Sequence, residues 1–243
     1  MLRVAVITGA ARRLGAATAR MLHREGFNVV VHCRASLAQA ESLVATLNAD
    51  RAHSAVVLQT DLSSPSALQS FAGQAAGCWG RVDVLVNNAS TFYPGSIENV
   101  TSEDWEALTA SNLRTPFFLV QALLPSLRAA RGCVVNMADI HGERGLPGYP
   151  VYSIAKAGLV AMTKILAREL APLVRVNAVA PGAILWPEGD MGDTEKQAVL
   201  QKVALQRCGR EDDIAKAIRY LVLDADYVTG QILTVDGGRL LFS

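Results

Sequence analysis

VAVITGAARRLG, residues 4–15, runs an unbroken apolar stretch into a glycine turn and then into a helical pattern. VAVIT (4–8) has no polar residue alternating with its apolar ones, which marks a strand covered on both faces. Six more runs of the same kind follow: NVVVHC (28–33), SAVVLQT (54–60), VDVLVNN (82–88), GCVVNMA (132–138), VRVNAVA (174–180) and QILTVD (231–236). Between them lie helical patterns at 15–25, 36–49, 64–78, 101–129, 151–171 and 211–223. Within 151–171, Ile154, Leu159, Met162, Ile165 and Leu166 form an apolar stripe beside Lys164 and Arg168. Repeated strand–helix alternation predicts right-handed crossovers and one doubly wound α/β parallel sheet of about seven strands. Ligands in such sheets bind beyond the carboxyl ends of the strands, where the strand order reverses.

Composition narrows the function. The chain has 243 residues, 51% hydrophobic and 19% charged, enough for one large core and short for two domains. Lysine and arginine number 23 against 22 acidic residues, so no basic excess points to nucleic acid. Four cysteines (Cys33, Cys78, Cys133, Cys208) are scattered, as small buried or idle thiols in a reducing compartment are. The four histidines show no metal-ligand spacing, and no metal is expected. The first apolar run lacks a charged flank and a cleavage site, and no run is long enough to span a bilayer. A soluble cytoplasmic protein of one domain (1–243) is expected. The one long irregular stretch, APGAILWPEGDMGD (180–193), with a short helix at 194–205, suits a substrate loop carrying Trp186, Glu188 and Asp190.

TGAARRLG (8–15) carries only Gly9 and Gly15, not the full G-x-G-x-x-G. It reads either as a phosphate cradle at a helix N-terminus or as an ordinary strand–helix turn. The second strand ends VVVHCRAS, with Arg34 and Ser36 where an NAD site carries an acid. An arginine there accepts a 2′-phosphate, which favours NADP; the alternative for Arg34 is a solvated surface charge. TDLS (60–63) sets Asp61 at the next strand end to meet an adenine amino group, and NNAS (87–90) closes the fourth. Both asparagines there also fit a loop-capping role.

In NMADIHGERGLPGYPVYSIAK (136–156), Tyr152 and Lys156 lie one helical turn apart and Asp139 precedes the tyrosine by thirteen residues. A lysine ammonium beside a phenol is expected to lower its pKa and ready it for proton transfer at neutral pH.

These residues resemble the short-chain dehydrogenase/reductase family along nearly the whole chain. TGAARRLG, NNAS, Asn112 in SNLRTP, Tyr152-x-x-x-Lys156, Pro181-Gly182 and VTGQILTVDGG stand in that family's order. The resemblance implies a seven-stranded Rossmann-type sheet, a nicotinamide cofactor, hydride transfer and a homotetramer. It implies Tyr152 as proton donor, Lys156 on the nicotinamide ribose and Asn112 anchoring a water of the proton relay. It implies cofactor contacts from Gly9, Arg12, Arg13, Leu14 and Gly15, from Arg34 and Ser36, and from Asp61 and Leu62. Asn88, Ala89, Lys156, Pro181 and Gly182 complete that set.

Two positions depart from the pattern. Asp139 stands where the family commonly has a serine that donates to a substrate carbonyl, and Arg13 fills the place of a third glycine. A carboxylate repels the charge that develops on a ketone oxygen, but suits a substrate with N–H donors or a ring nitrogen to protonate. Both departures resemble the pteridine reductases, which reduce pterins and in some members folates with NADPH. NNASTFYP (87–94) is similar to their NNAS-S/T-FYP, which implies substrate contacts from Ser90, Phe92, Arg13, Asp139 and Tyr152, with Phe92 stacking on a flat pterin. Their chains tend to end on an arginine that reaches a partner subunit; here Arg239 comes earlier, in DGGRLLFS. The alternatives are a carbonyl reductase of 3-oxoacyl thioesters and a non-catalytic NADP-binding regulator, the latter disfavoured by the full Tyr/Lys/Asn set.

Overall fold

The computed structural model describes residues 2–186 and 192–242. Glu188 and Asp190 of the expected substrate loop lie outside the described residues. In chain order the elements are β1 (Val4–Ile7), α1 (Arg13–Arg24), β2 (Asn28–Cys33), α2 (Leu37–Asp50), β3 (Ala55–Gln59), α3 (Pro65–Gly77), β4 (Val84–Asn87), α4 (Ser102–Thr109), α5 (Thr115–Ala130), β5 (Cys133–Met137), α6 (His141–Arg144), α7 (Pro150–Leu170), β6 (Arg175–Pro181), α8 (Asp193–Leu200), α9 (Glu211–Leu223) and β7 (Ile232–Val235). A final 3₁₀ turn covers Arg239–Phe242. All seven expected strands form, and every pairing is parallel in the order β3-β2-β1-β4-β5-β6-β7. The order reverses between β1 and β4, so the Rossmann-type switch point opens at their carboxyl ends.

The missing polar alternation has its reason in the packing. Ala5 and Ile7 of β1, with Val29 and Val31 of β2, join Leu22 of α1, Leu43 of α2 and Ile218 of α9 in one core. Val4, Val6 and Val30 point the other way, against Phe71 of α3, Leu123 of α5 and Leu159 of α7. Side chains alternate between faces, but both faces are dry, so every position is apolar.

The single helix expected over 101–129 is a correction. The chain forms α4, then a π-wound segment over Ala110–Arg114, then α5. A reciprocal capping box of Thr101 and Asp104 starts α4. The side-chain Nδ2 of Asn112 then donates to the carbonyl of Leu108 at 2.9 Å, taking an acceptor that the helix backbone would otherwise use. Pro116, the second residue of α5, has no N–H to give the carbonyl of Asn112. Winding over five residues accommodates both effects, and such bulges recur at functional sites. The short helix expected at 194–205 is α8, which ends at Leu200.

Candidate functional site

The carboxyl edge at the switch point holds a cleft of about 580 Å³. Gly9, Arg12, Arg13, Leu14 and Gly15 line one wall, with Arg34 and Ser36 beyond β2. Asp61 and Leu62 beyond β3, and Asn88, Ala89 and Ser90 beyond β4, line the rest. Pro181, Gly182, Asp139, Tyr152, Lys156 and Phe92 stand outside this lining.

The turn is held by side chains rather than by its own backbone. Thr8 Oγ1 accepts from the backbone N–H of Asn88 at 3.0 Å and of Ala89 at 2.9 Å. Asn88 Nδ2 donates to the carbonyls of Thr8 and Gly9 at 2.8 and 3.0 Å, tying β4 to β1 across the switch point. Asn88 therefore does cap a loop, one of its two sequence readings. Both glycines are sterically required. A Cβ on Gly9 would stand 2.9 Å from Ala89 Cα, and one on Gly15 2.4 Å from the carbonyl oxygen of Gly9. Arg13, in the place of the third glycine, keeps the left-handed φ of 51° that favours glycine, which costs an arginine about 1–2 kcal/mol. Its Nη2 donates to the carbonyl of Trp186 at 3.4 Å, so it spans from the turn to the loop after β6.

His32 was missed by sequence reasoning. Its Nδ1 accepts from the Gly9 N–H at 3.1 Å and its Nε2 donates to the carbonyl of Thr60 at 2.9 Å. The buried ring thus joins the ends of β1, β2 and β3 and requires the neutral form, and burial lowers its pKa. The available signal was a lone histidine inside the apolar run NVVVHC. Arg34 is exposed at the cleft rim, Ser36 caps α2 without a side-chain hydrogen bond, and Asp61 Oδ1 accepts from the N–H of Ser63. That bond, more than the nearby Arg34, lowers the Asp61 pKa.

The second half of the site lies beyond β5. Tyr152 Oη donates to Asp139 Oδ2 at 2.7 Å, and Asp139 Oδ1 accepts from the N–H of His141 at 2.8 Å. The expectation that Lys156 lowers the tyrosine pKa is not met. Burial first, then the Asp139 carboxylate and its hydrogen bond, push the phenol well above its ordinary value. Lys156 Nζ instead donates to the carbonyl of Met137 at 2.8 Å and lies 5.6 Å from the centre of the Tyr152 ring. Its own pKa falls to about 8, chiefly through burial. Tyr152 is therefore a protonated phenol at neutral pH, a donor rather than a poised phenolate.

Asn112 and Ser90 connect the halves. Ser90 Oγ donates to Asn112 Oδ1 at 2.6 Å, and Asn112 Nδ2 reaches the carbonyl of Thr91 at 2.9 Å. Ser90 also lies within hydrogen-bonding influence of Tyr152. Phe92, 53% exposed, stacks on Tyr149 with ring centres 4.5 Å apart and meets Tyr152 edge-on at 4.8 Å. Tyr149 is a second residue the sequence reading passed over. Pro181 ends β6, and its carbonyl accepts from the Ile140 N–H at 3.3 Å. A Cβ on Gly182 would stand 2.5 Å from Asp236 Cβ. Among the described residues no cluster of histidine, cysteine and carboxylate side chains suits a metal ion, and no helix is long and apolar enough to cross a membrane.

Residues 9–239 match a family model described as enoyl-(acyl carrier protein) reductase. The chain belongs to the short-chain dehydrogenase/reductase family. It is an oxidoreductase of that family. Its relatives divide in name. The chain is 36% identical over 279 residues to pteridine reductase 1 of Leishmania tarentolae, spanning 98% of this chain and 96% of that one. It is 34% identical over 245 residues to a 3-oxoacyl-[acyl-carrier-protein] reductase of Staphylococcus epidermidis, spanning 99% of this chain and 100% of that one. A reductase of the same description from Synechocystis is 36% identical, over 99% of this chain and 98% of that one.

Two pH effects on stability follow. His32 has a lowered folded pKa, so between that value and about 6.5 the unfolded chain binds more protons and stability falls with falling pH. In urea titrations from pH 7 to 5, His32→Gln is expected to flatten this loss; an unaltered slope would show that the ring does not titrate against folding. Lys156 gives an effect of the same sign in a higher window: between about 8 and about 10.5 the folded lysine is neutral while the unfolded one is charged, so stability again rises with pH. Lys156→Met is expected to remove that rise, measured as urea midpoints at pH 8 and pH 9.5.

Proposed function

We propose that this protein reduces a pterin with NADPH, by hydride transfer to a ring C=N bond. The observation that carries the reading is Asp139, a carboxylate hydrogen-bonded to the proton-donating tyrosine where a ketone reductase needs a neutral donor. The 36% identity to a pteridine reductase, at almost full coverage, supports it. A 3-oxoacyl thioester reductase is the second reading, supported by relatives of similar identity.

The residues fit an NADP cofactor. Gly9 and Gly15 let the turn pack directly on Ala89 and on itself, and the N-terminus of α1 lines the cleft, where a pyrophosphate would meet its N–H groups. Arg34 and the uncommitted hydroxyl of Ser36 stand together at the end of β2, where a 2′-phosphate takes charge-assisted hydrogen bonds. When bound, NADPH supplies the hydride. Asp61, Leu62, Asn88, Ala89, Pro181 and Gly182 fill out the cofactor contacts in this reading, and Lys156 holds the ribose.

The chain's own part is proton transfer and orientation. Tyr152 gives its phenolic proton to the ring nitrogen next to the carbon that receives hydride, so that C=N becomes CH–NH. The phenolate that remains beside Asp139 is disfavoured, and Tyr152 regains its proton from solvent. The Lys156 ammonium, 5.6 Å from the ring centre, is a cation on hand to offset that charge. Phe92, with one face against Tyr149 and its edge on Tyr152, orients a planar ring; Arg13 and Ser90 hold the polar edge of that ring. Asn112 acts by positioning Ser90 and the 88–92 segment. The working form in this reading is a cytoplasmic homotetramer.

Purified protein with NADPH and dihydrobiopterin or dihydrofolate is expected to lose absorbance at the nicotinamide band. Brisk turnover of a 3-oxoacyl thioester with no pterin turnover would reject the reading. Asp139→Ser is expected to lower kcat/KM for the pterin about 100-fold, the scale of removing one group that acts in the transition state. An unchanged rate would mean that the carboxylate is incidental. Arg34→Asp is expected to raise KM for NADPH about 100-fold and to affect NADH far less; equal losses would show that Arg34 does not read the 2′-phosphate.

A further inference from the structure

Two arginines stand beside the catalytic carboxylate, and neither belongs to the chemistry described above. Arg144 ends α6, just past β5, and Arg239 opens the 3₁₀ turn past β7. β5 and β7 flank β6, so both side chains start from the same carboxyl edge. Both residues are partly buried. Arg144 Nη1 and Arg239 Nε are shut off from solvent with no hydrogen-bond partner. Among the described residues no ion pair engages either guanidinium.

The two charges are close enough to feel one another: burial and then Arg144 lower the pKa of Arg239. The acids within reach are already engaged. Asp236 accepts from the backbone N–H groups of Gly238 and Leu240, both at 2.8 Å. Asp139 accepts from His141 and Tyr152. A buried guanidinium nitrogen without a partner carries a desolvation cost, and a second cation beside it adds repulsion. An anion with two or more oxygens relieves both, because guanidinium forks match carboxylate and phosphate geometry. The buried ring of His141, which senses Asp139 and both arginines, closes one side, with its Nδ1–H donating to the carbonyl of Gly145 at 3.1 Å.

We propose that Arg144 and Arg239 form an anion subsite of the Asp139–Tyr152 centre, which takes a carboxylate or phosphate borne by the substrate away from its reacting ring. The inference deepens the pterin reading, on which it rests for the ring: the preferred substrate is a dihydropterin with an anionic side chain. It differs from the arrangement expected from the resemblance, because this arginine serves its own subunit's site.

The test separates the two claims. Protein saturated with NADP, so that Arg34 is engaged, is titrated calorimetrically with inorganic phosphate and, separately, with glutarate. Binding of at least one is expected, weakened tenfold or more in Arg144→Gln and in Arg239→Gln; which anion binds distinguishes the sources. In turnover with NADPH, Arg239→Gln is expected to raise KM for dihydrofolate tenfold or more. Its kcat should stay within twofold, and KM for neutral dihydrobiopterin should change less than twofold. Failure of both anions to bind, or equal KM changes for neutral and anionic pterins, would overturn the subsite. Anion binding lost in the variants with no pterin turnover in the wild type would sink the pterin reading and leave the subsite standing. Should a glutamine variant fail to fold, the wild type decides: phosphate must compete with dihydrofolate and leave dihydrobiopterin untouched, and indifference to phosphate would reject the proposal.

Discussion

Every strand of a parallel sheet delivers its chain to the same edge, and there the ladder of backbone hydrogen bonds stops. The groups left over must still be satisfied, because little water reaches them. In this protein side chains do that work, and they are the side chains that frame the site. Thr8 and Asn88 close the gap between β1 and β4, and His32 closes the ends of β1, β2 and β3. Lys156 takes the carbonyl of Met137 at the end of β5, and Asp139 takes the N–H of His141 beyond it. A substitution at this edge therefore changes stability and site geometry together.

The electrostatics of the second half follow from burial and from one replacement. A carboxylate at position 139 is hydrogen-bonded to a buried phenol and within electrostatic reach of a buried lysine, and it acts on them unequally. It adds to the burial that raises the tyrosine pKa, through its charge and then its hydrogen bond, and it partly offsets the burial that lowers the lysine pKa. The lysine is too engaged with Met137 to reverse the effect on the tyrosine. A site arranged this way keeps Tyr152 protonated at neutral pH and sets a negative charge beside it, where an oxyanion would be repelled.

Much of this was legible in the chain. Both faces of the sheet are dry, so the seven strands stand out as runs without alternation, and the helices between them keep their apolar stripes. Helix boundaries were readable to within two residues for α1, α2, α3, α7 and α9, because each is bounded by turn residues or a cap. The break at 110–114 was not, since it depends on a side chain of Asn112 competing for a carbonyl one turn back. His32 and Tyr149 escaped notice for a related reason: a histidine in an apolar strand and a tyrosine before a proline acquire their roles only from partners on other elements.

By itself the sequence determined the sheet, its two covered faces, the edge where the site opens, and the family through motifs in a fixed order. It also determined that an acid, Asp139, stands thirteen residues before Tyr152, where the family commonly has a serine. Only the tertiary structure decided that burial and this acid, rather than Lys156, set the shift of Tyr152, and only it brought Arg144 and Arg239 together across some hundred positions of chain. Periodicity and motif record local preference, which a linear chain carries. The shift of a pKa and the pairing of two charges depend on distance and burial, which exist only once the chain has folded.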